Sequence, residues 1–183
     1  MRLIDARGAG VVRVLLDGVG AGPLADALVP GLVSARRGPV RVRAADFQRP
    51  AGERFEWGRE DEQSFRERWL DAEALEREVL GRTDGHYLPA LWDSEQDRSA
   101  RRSRELLPGR AVLLVDGVLL LDRGLSADLV VHLTLSRAAL SRRGVPAWQL
   151  PVFAAYDDQV RPGENCDVLV RAEDPARPAV LVR

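Results

Sequence analysis

The chain has 183 residues, 45% hydrophobic and 30% charged, and its 28 acids and 27 bases leave a net charge of -1. That length suits one domain with its own core, the composition excludes disorder as the default, and interspersed charges call for neither nucleic acid nor an anionic membrane as partner. All 27 bases are arginine, which excludes any chemistry that depends on a lysine ammonium.

The first ten residues, MRLIDARGAG, are too short in apolar run and too charged for a signal peptide, and no later stretch approaches a bilayer span. Cytoplasm is the expected location. Residues 11–16, VVRVLL, read as a buried strand, followed by a glycine-rich turn from Asp17 to Gly22. Pro23 is expected to open a helix at its first position, where a missing N–H costs nothing, and the helix runs through Leu24, Leu28 and Leu32. Residues 40–44 alternate as a second strand, and 48–59 are an irregular connection holding Pro50, Gly52 and Gly58.

A helix over about 60–70 places Phe65 and Trp69 on one face, with Glu60, Asp61 and Glu62 as its acidic first turn. Asp71 caps a second helix that carries Leu75, Val79 and Leu80. Residues 85–92 predict a short edge strand, because Pro89 bars a central one. Residues 94–107 read as charged and solvated, the arginines at 98–104 as a helix face. The clearest strand is 111–115, AVLLV, ending on Asp116 and Gly117. A strand over 128–135, an Arg-rich helix over 136–143, an ambiguous stretch at 149–160, and strands at 167–171 and 179–182 complete the chain. The single cysteine, Cys166, has no activating neighbour and reads as a small residue before a strand. Strands alternating with helices predict an α/β three-layer sandwich with a mostly parallel five-stranded sheet, in one domain spanning 1–183.

The strand, turn and helix at 11–34 have the form of a phosphate cradle, which aims backbone N–H groups and a helix N-terminus at an anion. The full pattern, GxxxxGK followed by Ser or Thr, adds an ammonium for the terminal phosphates and a hydroxyl for magnesium. Here Gly18 and Gly22 are separated by three residues, and Pro23 and Leu24 stand where Lys and the hydroxyl residue should follow. Asp116, at the end of a buried strand and next to glycine, fits an acid that holds magnesium through water. His132 lies within a strand and reads as a satisfied core residue; two histidines and one cysteine give no zinc site. Trp57, Trp69, Trp92 and Trp148 offer stacking surfaces for a nucleobase but serve as well for packing.

The succession VRVLLDGVGAG with LADAL, VRVRAADFQRP, ERFEWGREDEQSF with LDAEAL, and AVLLVDGVLLL resembles the uridine kinase family of P-loop kinases, and CDVLVRAEDPARP is similar to that family's closing strand and turn. The resemblance covers about 11–178. It implies a P-loop NTPase-like fold, ATP with magnesium, and phosphoryl transfer to a nucleoside hydroxyl. Carried over, it implies Gly18, Gly20 and Gly22 as the nucleotide loop and Asp116 as the metal acid. Arg137, Arg142 and Arg143 become phosphate clamps in a degenerate lid over 136–160. The family's acceptor-activating Asp stands two residues before the aromatic of D-x-F; that position is Ala45 before Phe47, and Asp46 is one residue off. The resulting expectation is an eroded, non-catalytic relative of nucleoside kinases that binds ATP and magnesium weakly or not at all, with a small nucleotide or nucleoside as partner. The alternative is an active small-molecule kinase that uses Arg in place of Lys.

Overall fold

A computed structural model describes residues 2–8, 10–174 and 177–183. Pro175 and Ala176, within the closing motif, lie outside the described residues, as do Met1 and Ala9 of the N-terminal stretch. Six strands form the main sheet: β1 (Val12–Asp17), β2 (Gly38–Arg43), β3 (Ala111–Gly117), β4 (Leu129–Thr134), β5 (Val168–Arg171) and β6 (Ala179–Val182). Their spatial order is β6-β5-β4-β1-β3-β2. The first five are parallel, and β6, a strand the sequence predicts at 179–182, adds an antiparallel edge to β5, so the sheet has six strands where five were expected. Parallel strands buried on both faces read as unbroken apolar runs. In β3 every residue from Ala111 to Asp116 is buried. Each of its leucines and valines contributes roughly 1.5–3 kcal/mol by leaving water.

Side-chain alternation splits the core into two. Val14, Leu16, Val112 and Leu114 pack with Ala21, Ala25 and Leu32 of the helix Ala21–Ser34. Leu15, Leu113, Val115 and Val42 face Leu75, Val79 and Leu80 on the other side. The predicted cap Asp71 accepts from the Ala74 amide at 3.0 Å, and Asp61, expected within an acidic first turn, is itself the cap of its helix, accepting from the Ser64 amide at 2.7 Å. The turn beyond Leu75 widens to a π-helix over Glu76–Leu80.

Three sequence expectations change. Pro23 is the third residue of its helix, not the first, because Gly20, at φ 100°, already caps the N-terminus. Residues 85–107 contain neither a strand of the main sheet nor a helix; they fold as two small antiparallel pairings, His86–Tyr87 with Glu105–Leu106 and Trp92–Asp93 with Arg98–Ser99. Local charge density carried no signal for either. The ambiguous stretch 149–160 is the helix Leu150–Val160, which buries Leu150, Val152, Phe153 and Tyr156 at the 3.6-residue repeat.

The sheet order reverses at β1, which has β3 on one side and β4 on the other. In open parallel sheets the crevice outside the carboxyl ends at such a point is where ligands bind. Asp116 lies in register with Leu16 of β1 and Arg43 of β2, so the glycine turn and Asp116 share that edge.

Candidate functional site

The turn at 18–22 is held tightly from below. Gly18 has φ 117°, and its amide donates to the Gly117 carbonyl at 2.8 Å. A side chain there would collide with the Leu133 carbonyl, so glycine is required by β4 as well as by the backbone angle. At Gly20 and Gly22 the space a methyl group would take is bounded by arginines. The Arg143 Nη1 lies 2.7 Å from where a methyl group on Gly20 would sit, and the Arg41 Nη2 lies 2.7 Å from where one on Gly22 would sit.

Arg41 was not a site residue by sequence; it is one position in an alternating strand. Register explains its placement. It stands two residues before Arg43, which is opposite Asp116, so its side chain runs forward on the same face. Its Nε donates to Asp116 Oδ1 at 2.6 Å, its Nη2 to Oδ2 at 3.1 Å, and its Nη1 to Asp26 Oδ1 at 2.5 Å. The bond to Asp116 lifts the guanidinium further above its ordinary range, against the opposing effect of burial. Asp116, 7% exposed, thus has both oxygens taken by one bidentate partner.

Magnesium does not fit this arrangement. The lysine and the hydroxyl residue are absent, Pro23 offers no N–H, and Arg41 occupies the cation's place on Asp116. Among the described residues no group of three or more His, Cys, Asp or Glu is arranged to hold a metal ion. The glycine pattern also reads differently in three dimensions. Five positions before Gly22 lies Asp17, the last residue of β1, whose carboxylate is fully buried under the turn.

The predicted clamp residues separate. Arg143 reaches the turn, donating to Val19 O at 3.4 Å and to Ala172 O at 2.5 Å. Arg142 faces Glu173 at 3.8 Å, and Arg137 lies on the exposed face of its helix. Asp46, in a 3₁₀ turn over Ala44–Phe47, accepts from Arg43 at 2.6 and 2.9 Å. Ala45 lines two cavities on either side of it. One is an open cleft of about 650 Å³ bounded by Arg41, Arg43, Asp46, Trp92 and Arg102. The other, about 240 Å³, is walled by Phe65, Trp69 and Leu70, with Arg43, Gln48, Asp116 and Arg123 as its polar groups. Burial lowers the Arg123 guanidinium's affinity for its proton; among the described residues it bonds to the Leu119 and Glu67 carbonyls. Trp69 and Trp148 pack edge-on around Phe65, at centroid distances of 5.0 and 5.4 Å, while Trp57 is exposed.

Beneath the turn is a polar cluster that the sequence left unassembled. Asp17 Oδ1 accepts from the Leu120 amide at 2.9 Å, and Oδ2 accepts from Tyr156 Oη at 2.9 Å and meets His132 Nδ1 at 2.8 Å. Tyr156 Oη in turn accepts from the Leu121 amide. Burial, then the Asp17 charge, push the Tyr156 phenol well above its ordinary value. His132 is the satisfied core histidine the sequence predicts, and Cys166 is buried as expected.

A parallel sheet centred on β1, with a glycine turn and a strand-end acid on its carboxyl edge, makes a three-layer α/β fold. Two solved structures share it. One is described as a possible uridine kinase from Bacillus stearothermophilus (TM-score 0.73, 18% identity, covering 92% of this chain and 97% of that one). The other is a fructose transport system kinase from Silicibacter sp. TM1040 (TM-score 0.62, 16% identity, 90% and 92% covered). No family model matches the chain, and neither does any curated protein. No helix among the described residues is long and apolar enough to cross a membrane.

Proposed function

We propose that this protein is a non-catalytic relative of nucleoside kinases that keeps the acceptor side of the fold and has closed the nucleotide side. The observation that carries this reading is the bidentate Arg41–Asp116 pair at the mouth of the turn. With Asp26 the trio has a net charge of -1, which opposes a polyphosphate, and the acid that would reach a metal is already neutralised. The acceptor side remains open. The 240 Å³ pocket offers an aromatic wall and the Arg123 guanidinium, which among the described residues bonds to carbonyls and to no carboxylate, and this suits a small ring-bearing hydroxyl compound such as a nucleoside. ATP and magnesium bind weakly or not at all, and the working location is the cytoplasm.

Calorimetry with ATP and magnesium tests the closed side. No binding tighter than about 100 μM, equivalent to about 5.5 kcal/mol, is expected. Micromolar binding that Gly20→Asp abolishes would overturn the reading.

A second reading is favoured by the two guanidiniums beside Gly20 and Gly22. Here the chain is an ATP-dependent small-molecule kinase in which Arg143 and Arg41 neutralise charge in place of Lys, as electrostatic stabilisation of phosphoryl transfer permits. Under this reading labelled phosphate passes from ATP to a nucleoside or sugar, and Arg143→Ala slows that transfer at least a hundredfold.

A further inference from the structure

β6 is the free edge of the main sheet. Its four residues, Ala179–Val182, are all exposed, and Val180, Leu181 and Val182 keep 60%, 53% and 52% of their surface in water. Edge strands are usually protected by a charge, a proline or a bulge. Between Ala179 and Val182 there is no charged residue and no proline, and the pairing with 168–171 runs without a bulge.

Register decides which backbone groups of this edge are unused. The Arg183 amide donates to the Asp167 carbonyl at 2.9 Å, which continues the ladder in which Val182 faces Val168 and Ala179 faces Arg171. Opposed residues of an antiparallel pair alternate between exchanging hydrogen bonds and not exchanging them. Counting back from Arg183, Leu181 and Ala179 turn their N–H and C=O toward β5, and Val182 and Val180 turn theirs outward. Such a row is self-complementary. A second β6, related by a two-fold axis at Leu181, sets Val180 against Val182 of the partner subunit, and every outward N–H and C=O of both valines finds a mate. An axis at Val180 instead would bring Pro178, which has no N–H, against Val182 and leave the Val182 carbonyl unpaired. We propose that β6 is a dimerisation edge, on which two copies of this chain pair β6 to β6 antiparallel about Leu181 and make one continuous sheet. A second copy is the occupant that suits an uncharged edge, because a net charge of -1 gives the copies little reason to repel. Pairing two four-residue strands buries less than the ~1,200 Å² of a standard interface, so the dimer is weak and reversible, with a Kd of about 10–500 μM.

Sedimentation velocity of the whole protein from about 5 μM to about 1 mM should show monomer giving way to dimer and to nothing larger. Val180→Pro is the specific variant. It removes an N–H that β5 does not use, at an edge position where proline is accepted, so the fold and its Tm should hold while association weakens at least tenfold. Val182→Lys should do the same by placing a charge in the pairing, and it decides the matter if the proline variant fails to fold. Cysteines test the register. Leu181 meets Leu181 of the partner subunit at a non-hydrogen-bonded position, where Cα atoms are about 4.5 Å apart and a disulfide closes. Under mild oxidant Leu181→Cys should therefore form a covalent dimer. Val180→Cys should not, because its mate lies on the diagonal, about 7–8 Å away. Cys166 is buried and does not compete. A protein that stays monomeric throughout the series, a dimer that survives Val180→Pro or Val182→Lys, growth beyond the dimer, or equal cross-linking of the two cysteine variants overturns the proposal.

Discussion

Arg41 and Asp116 are 75 positions apart and neither is unusual for its place in the chain. An arginine in an alternating strand is ordinarily a solvated charge, and an aspartate at a strand end is ordinarily a turn residue or a metal ligand. Only the pairing of β2 with β3 makes them one group. Removing the arginine alone would strand a nearly buried carboxylate, so Arg41→Met should cost about 2–4 kcal/mol. Asp116→Asn should cost less, since Asp26 still engages the guanidinium. In a double-mutant cycle by urea unfolding, a coupling above about 1 kcal/mol is expected; additive losses would mean the pair is incidental. The same dependence on tertiary register hid Asp17 and Tyr156, whose sequence signals were a polar end to an apolar strand and an aromatic in an ambiguous stretch. What was legible at this scale was local: the cap Asp71, the acidic start of the helix at Asp61, and a glycine-rich turn from Asp17 to Gly22.

Elements were legible where periodicity or burial was strong and illegible where the fold is held by side chains from elsewhere. β3 is a continuous apolar run up to Asp116, β1 and β4 are apolar apart from Arg13 and His132 within them and a polar last residue, and their positions follow from sequence. The segment 85–107 has no period, and its shape depends on outside contacts. The Leu88 amide donates to the Glu78 carbonyl at 3.0 Å, the Leu91 amide to the Asp46 carbonyl at 2.9 Å, and the Arg104 side chain binds the Glu78 carboxylate of the π-helical turn at 2.7 Å. Glu78 makes that contact pH-sensitive. Burial alone lifts its carboxyl, but hydrogen bonds from Arg104 and Arg77 outweigh this and hold it below the ordinary value of 4.5. A carboxyl depressed on folding contributes stability that is fully present above 4.5 and is lost as pH falls through the lower folded value. Glu78→Gln should therefore cost about 1 kcal/mol at pH 7 and less at pH 3. Thermal unfolding of both proteins across that range checks it, and a constant difference would contradict the assignment. The helix Leu150–Val160 makes its own prediction. Tyr156→Phe leaves the Leu121 amide without its acceptor and removes one donor from buried Asp17, for an expected loss of about 1–3 kcal/mol.

At the scale of the whole molecule, the β1-centred sheet has open cavities beside Ala45 and a glycine turn filled by the protein's own charges; under the proposed function these are the acceptor and nucleotide sides. If that filling is what closes the site, it should be reversible by a small set of substitutions. Pro23→Lys and Leu24→Ser restore the ammonium and the hydroxyl at the helix N-terminus. Arg41→Val, on the face that packs against the helix Ala21–Ser34, frees both oxygens of Asp116. Leu24 packs partly against the core, so its loss costs about 1–3 kcal/mol, which a domain of this size tolerates. A ligand at a hundred times its Kd stabilises the native state by about 2.7 kcal/mol. For a chain of this length that is a rise in Tm of roughly 5–10 °C. The triple variant should show this rise with ATP and magnesium, and the double variant that keeps Arg41 should show little, because Asp116 stays occupied. Nucleoside phosphorylation should still need Ala45→Asp, since position 45 faces the acceptor cavities without a base. Equal shifts in the double and triple variants would remove Arg41 from the explanation. A folded triple variant with no shift would mean that the turn is closed from its other side, where Arg143 ties Val19 to Ala172.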